Sequence, residues 1–199
     1  MKTYKLIGLT GQSGAGKSTV SEVFRGRGAS VINADELVSE LYASGSPCVK
    51  TIAACFGAEV LTESGEIDRK VLAARAFSSA ENTALLGKLV HPFVTAVLFE
   101  RLRGQSGPVV YDAPQLFESG ADVICDCVVS VVADVDIRLE RITERDGISR
   151  QKALERINSQ LNEAFFRENA DYILENNESV EALKQNAVML YEKIKAEVR

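Results

Sequence analysis

Short apolar runs alternate along this chain with stretches whose apolar residues recur every three or four positions. Leu6-Ile7-Gly8-Leu9 marks a first strand over residues 4–10, and residues 18–27 read as a helix leading out of it. Ala29-Ser30-Val31-Ile32-Asn33 predicts a second strand, ending at Asp35, and Pro108 introduces a third, Val109-Val110-Tyr111-Asp112. Residues 127–132 are nearly all apolar, as expected of a strand covered on both faces. Tyr172-Ile173-Leu174 gives a short fifth strand. Ser179 opens a last helix, with Leu183, Ala187, Leu190 and Ile194 along one stripe. This alternation predicts an α/β fold built on a five-stranded parallel sheet flanked by helices.

Two stretches interrupt the pattern. Residues 36–107 hold more helix than a simple crossover needs: 73–77, 85–90 and 94–102 have helical spacing. His91-Pro92 lies between the last two, which places Pro92 in the first turn of a new helix. An inserted helical part is expected here. The second interruption, residues 137–167, carries Arg138, Arg141, Arg145, Arg150, Arg156 and Arg167. No internal repeat or low-complexity segment is present.

Between the first strand and first helix lies Gly11-Gln12-Ser13-Gly14-Ala15-Gly16-Lys17-Ser18, which fits G-x-x-x-x-G-K-[ST], the phosphate-binding loop. Its glycines let the backbone curl so that N–H groups face a phosphate, and the helix N-terminus adds partial positive charge. Lys17 can reach the β- and γ-phosphates, and the Ser18 hydroxyl can sit on Mg²⁺. The predicted ATP contacts are Gly11, Gln12, Ser13, Gly14, Ala15, Gly16, Lys17, Ser18 and Thr19.

Composition narrows the alternatives. The chain has 199 residues, with 46% hydrophobic and 26% charged, as in a globular domain with a sizeable core. A net charge of −5 argues against nucleic-acid or membrane-surface partners. No apolar run is read as approaching a bilayer span, and a strand that starts at once is read as leaving no room for a signal peptide. Cys48, Cys55, Cys125 and Cys127 lack zinc spacing, so reduced cysteines in a cytoplasmic protein are expected.

Asp35 follows the second strand at the sheet edge where ligands of open parallel sheets bind. It can take a proton from a substrate hydroxyl or hold Mg²⁺; alternatively, it caps the next helix. Asp112 ends an apolar run, as a metal-associated Walker-B acid does, or it is a turn residue before Ala113-Pro114. Arg138, Arg141 and Arg145 share a helix face, suited either to clamping phosphates or to solvation alongside Glu140 and Glu144. His91 has no acid or nucleophile beside it to form a triad. An N-K-x-D guanine signature is missing from the chain.

Taken in order, these pieces resemble the dephospho-coenzyme A kinase family. Residues 7–18 look like that family's opening, and Val31-Ile32-Asn33-Ala34-Asp35 is similar to its V-I-D-A-D segment. Ile67-Asp68-Arg69 and His91-Pro92 match its middle region. Asp112-Ala113-Pro114-Gln115-Leu116-Phe117-Glu118 resembles its D-x-P-L-L-F-E stretch. Arg141 and Arg145-Asp146-Gly147-Ile148-Ser149 look like its lid, and Gln160, Ala170-Asp171-Tyr172 and Asn176 are similar to its closing segment.

The resemblance implies a P-loop NTPase core (residues 1–35 and 108–199), a helical substrate-binding insertion (36–107) and a helical lid (137–167). It implies transfer of phosphate from ATP, with Mg²⁺, to the ribose 3′-hydroxyl of 3′-dephospho-coenzyme A. Asp35 would then be the base, with Lys17 and Arg141 in the catalytic machinery. Asp35, His91 and Arg145 would contact the acceptor, and Ser18 and Asp112 the metal. No nucleic acid or membrane partner is expected, and the chain is expected to be a monomer or a weak homo-oligomer. Asn33, Gln12, Ala15, Gln115 and Arg138 depart from the family pattern. The competing readings are a P-loop kinase for another small acceptor, a nucleotide switch with a protein partner, and a binder without catalysis.

Overall fold

The structure, a computed structural model, describes residues 3–197. The five apolar segments form β1 (Tyr4–Gly11), β2 (Ser30–Asn33), β3 (Gly107–Asp112), β4 (Cys127–Val132) and β5 (Tyr172–Glu175). They make one parallel sheet in the order β2-β3-β1-β4-β5. Ile7 of β1 pairs with Val110 on one side and Cys127 on the other, and Leu9 lies opposite Asp112. β1 therefore runs between strands that come later in the chain. Its C-terminal end opens at a topological switch point, the position where ligands of such sheets bind.

Two compact units make up the chain. The first comprises residues up to Ile32 and from Gln105 onward, and the second spans Asn33–Gly104. In the first unit, α1 (Lys17–Gly26) and the C-terminal helix Val180–Ala196 pack on the sheet. Ile7, Leu9, Val110, Val129 and Val131 are buried with Phe24, Leu183, Tyr191 and Ile194. The Phe24 and Tyr191 rings meet with centroids 5.3 Å apart. Full burial of each such apolar side chain contributes about 1.5–3 kcal/mol. Ser179 caps the C-terminal helix by accepting from the Ala182 N–H at 3.2 Å.

The second unit contains α2 (Ala34–Leu41), α3 (Pro47–Phe56), α4 (Arg69–Ala76) and α5 (Ala80–Leu102). α3 starts with Ser46 as cap and Pro47 in its first turn. Two expectations fail at α5. It is one continuous helix of 23 residues with Pro92 inside it, not two helices meeting at His91-Pro92. A proline there forfeits one backbone hydrogen bond and crowds the carbonyl four residues back. The stripe Val90, Val94, Leu98 and Leu102 nevertheless stays in register across the proline and is buried. α5 is also long and apolar enough, by length and composition, to cross a membrane. Here it packs against α2, α3 and α4.

The arginine-rich stretch of the first unit folds into α6 (Val135–Asp146), α7 (Arg150–Asn158) and α8 (Glu163–Asn169), which makes the C-terminal helix α9. Leu139 and Ile142 of α6 close a small core with Ala153 and Ile157 of α7. These two helices thus carry a hydrophobic cluster separate from that of the sheet. All four cysteines are free.

Candidate active site

The phosphate loop continues β1 into α1. The Gln12 N–H reaches the Val131 carbonyl of β4 at 3.3 Å, and the Ala15 N–H turns back to the Gln12 carbonyl at 3.0 Å. Gln12 and Ala15 are buried, so their side chains face the protein and leave the loop's inner surface to the backbone. Gly16 takes φ 102°, a region side chains disfavour, and a Cβ there would lie 2.5 Å from the Asn176 amide nitrogen. α1 then begins at Lys17 without a side-chain cap, so its leading N–H groups remain available to an anion. Ser18 and Thr19 sit in the same first turn.

Lys17 Nζ donates to the carboxylate of Asp112, which is buried at the end of β3. The buried acid thereby holds the loop lysine at the sheet edge. Ser18 and Asp112 are the groups present to hold a metal, and among the described residues no cluster of three or more His, Cys, Asp or Glu exists. That sparse set fits Mg²⁺, which typically takes one or two protein oxygens and completes its shell with waters and phosphates.

Three side chains from distant elements hold the outside of the loop. Gln160 Oε1 accepts from the Ser13 N–H at 3.0 Å. Arg141 Nη1 donates to the Gly14 carbonyl at 3.4 Å, and Asn176 Nδ2 donates to the Ala15 carbonyl at 2.7 Å. Arg141 also donates to the Asn176 backbone oxygen at 3.1 Å and to its Oδ1 at 3.4 Å.

The arginines expected to form one face of α6 have separate partners. Arg138 is buried, with its Nε on the Ala133 carbonyl at 2.9 Å and its Nη1 without a partner. Burial lowers its pKa. It is turned into the protein, unlike a solvated or phosphate-facing arginine. Arg145 pairs with Asp146 at 2.7 Å, and Arg156 binds the same carboxylate. Hydrogen bonds from the two guanidiniums hold the Asp146 carboxyl far below the usual carboxylate range.

In the second unit, Asp35 is exposed in the first turn of α2. It is not the helix cap: Asn33 is, accepting from the Asp35 N–H at 2.8 Å and the Glu36 N–H at 3.3 Å. The Asp35 carboxylate is therefore not committed to capping. The Ser39 hydroxyl donates to the Asp35 carbonyl at 2.7 Å and accepts from Arg69 Nη2 at 2.7 Å. The Arg69 guanidinium also lies over the Tyr42 ring, 5.7 Å from its centroid. Asp68, just before it, caps α4 by accepting from the Lys70 and Val71 N–H groups at 2.9 and 3.1 Å. His91 is half-buried on α5, and desolvation lowers its pKa.

Residue-by-residue reading of the sequence missed Gln160, Asn176 and Arg69. Each falls in a segment similar to the family, but no local pattern signals that a side chain 161 positions away will bind the loop at Ala15.

The switch-point position of the loop and the acid held against its lysine define the class: this is a P-loop nucleotide-binding fold. The sequence model for dephospho-CoA kinase matches residues 5–182. The dephospho-CoA kinase of Syntrophotalea carbinolica is 41% identical over 191 residues, covering 93% of this chain and 90% of its own. A solved structure from Thermus thermophilus superposes with a TM-score of 0.80 at 31% identity, covering 96% of this chain and 97% of that one. The dephospho-CoA kinase of Campylobacter jejuni shares the fold, with a TM-score of 0.61 at 22% identity over 98% of this chain and 99% of that one. The chain belongs to the dephospho-CoA kinase family.

Proposed function

We propose that this chain transfers the γ-phosphoryl group of ATP to the ribose 3′-hydroxyl of 3′-dephospho-coenzyme A, giving coenzyme A and ADP, the last step of coenzyme A biosynthesis. The observation that carries this is the family match over residues 5–182, which takes in the phosphate loop and every later segment through Asn176. Reaction in this class is in-line displacement, in which positioning and charge neutralisation supply most of the acceleration.

Residues 11–19 bind the ATP phosphates, chiefly through backbone N–H groups and Lys17. Ser18 and Asp112 would hold Mg²⁺, whose charge would offset that of the phosphates. On phosphate binding, Lys17 exchanges part of its interaction with Asp112 for the β- and γ-oxygens. Arg141 braces the loop at the Gly14 carbonyl and at Asn176 in this structure, and would have to turn from them to neutralise charge on the transferred group. Asp35 orients the 3′-hydroxyl and accepts its proton, a role supported by its place directly after β2 and its freedom from capping. Residues 36–107 take the acceptor, with His91 among its contacts. Within residues 137–167 the lid bears Arg145, while Arg141 and Gln160 toward its two ends stay bonded to the phosphate loop.

The test is ADP formation from Mg-ATP with and without 3′-dephospho-coenzyme A, beside adenosine, AMP and other nucleotide acceptors. Release that depends on dephospho-coenzyme A, with coenzyme A as product, is expected. Release with another acceptor alone would move the enzyme to a different kinase of the same fold. Nucleotide binding without turnover on any acceptor would favour a regulatory module.

A further inference from the structure

The loop's N–H groups can face a phosphate only if its carbonyls face away, into protein, where each needs a donor. Two of these carbonyls, Gly14 and Ala15, find their donors on Arg141 and Asn176. Asn176 is 5% exposed and uses every polar group it has. Its backbone N–H donates to Val132 at 2.9 Å, its Nδ2 to Ala15, and both of its oxygens accept from Arg141. The orientation of the amide follows from this network, because a carbonyl needs the nitrogen side and a guanidinium needs the oxygen side. The same amide fills the space a side chain at position 16 would need. Gln160 holds the adjoining residue of the loop through the Ser13 N–H.

We propose that Asn176 is a positioning residue for the nucleotide. It fixes the outward carbonyl of Ala15 and, through the same side chain, the direction of the Arg141 guanidinium, while Gln160 fixes Ser13 beside it. β5 and the segment after α7 thereby preset the phosphate loop before ATP arrives, so binding spends little on ordering the loop. This rests on the reading of residues 11–19 as an ATP site.

The experiment uses the full chain with Asn176→Leu, which keeps the branching and neutral charge of the side chain but adds bulk and removes donor and acceptor, and Gln160→Met, which keeps side-chain length but removes the acceptor for Ser13. ATP affinity is measured by calorimetric titration, beside the KM for each substrate. Asn176→Leu is expected to weaken ATP binding about tenfold and Gln160→Met about threefold, with the KM for dephospho-coenzyme A changed less than twofold. A merely structural asparagine would lower the melting temperature and leave the ATP affinity of the folded fraction unchanged; that result overturns the proposal. If Asn176→Leu does not fold, Gln160→Met decides: unchanged ATP affinity there overturns the proposal. Failure of the parent protein to bind ATP would be a different result, because it would remove the ATP-site reading itself.

Discussion

Substituting Gly16 by alanine tests how tightly the loop is held from outside. At φ 102° an alanine is strained, by roughly 1–2 kcal/mol. Its Cβ would also stand 2.5 Å from Asn176 Nδ2 and 3.1 Å from Leu183 Cδ2. The asparagine has no room to yield without releasing the Ala15 carbonyl, and a buried acceptor left unpaired costs about 1–3 kcal/mol. The sum is about 3 kcal/mol, which in a chain of this size lowers the melting temperature by roughly 6–12 °C. Gly104→Ala is the control, since φ is 75° there but nothing lies within 4 Å of the added carbon. That variant bears backbone strain alone, about 1–2 kcal/mol. The assay is thermal unfolding of both variants with and without saturating ATP. Gly16→Ala is expected to show the larger drop and to lose most of the stabilisation ATP gives the parent, while Gly104→Ala keeps it. Equal drops in the two variants, or full stabilisation by ATP in Gly16→Ala, would refute the steric argument.

Asp35→Asn is expected to reduce kcat by about 10²–10⁴ and leave ATP affinity within twofold, measured by coupled ADP release and calorimetry. Parental turnover would remove Asp35 as the base. Lys17→Ala is expected to abolish turnover and to destabilise the fold by about 3 kcal/mol, because the buried Asp112 carboxylate loses its partner. Adding Asp112→Asn should recover much of that stability in denaturant titrations but none of the activity. At the start of α2, Asn33→Ala should cost about 1 kcal/mol of stability and Asn33→Asp only a few tenths, since either Asn or Asp caps a helix.

The central strands were legible because each is a run of apolar residues bounded by turn chemistry. β4 is buried at all six positions and was read from composition alone. The order β2-β3-β1-β4-β5 was not legible, because nothing local says that β1 lies between β3 and β4. Two prolines show the limit of local cues. Pro47 follows the cap Ser46 and starts α3, a local helix-start signal. Pro92 carries the same local signal but sits inside α5, where the buried stripe on both sides outweighs the lost hydrogen bond. At the site, the loop, its lysine and the acid at the end of β3 were readable, each being tied to a strand end. Arg138 was not, because spacing places a side chain on a helix face without saying whether that face meets solvent or protein.

The departures from the family pattern become intelligible in terms of which surface each one faces. Asn33 stands where the family has an aspartate and does what either residue can do there, capping α2. Gln12 and Ala15 are buried on the outside of a loop whose inner surface is backbone, so their side chains lie away from the phosphate-facing amides. Gln12 Oε1 and Arg138 Nη1 are both buried without a hydrogen-bond partner. A motif of this type fixes only the residues whose own atoms or backbone angles serve the phosphate. The intervening positions are free to follow the protein packed behind them. That is also why the loop's supporting residues, Gln160 and Asn176, lie far outside the motif. They act on its carbonyls and on a single N–H, and their place is set by the sheet and by the helices beyond it.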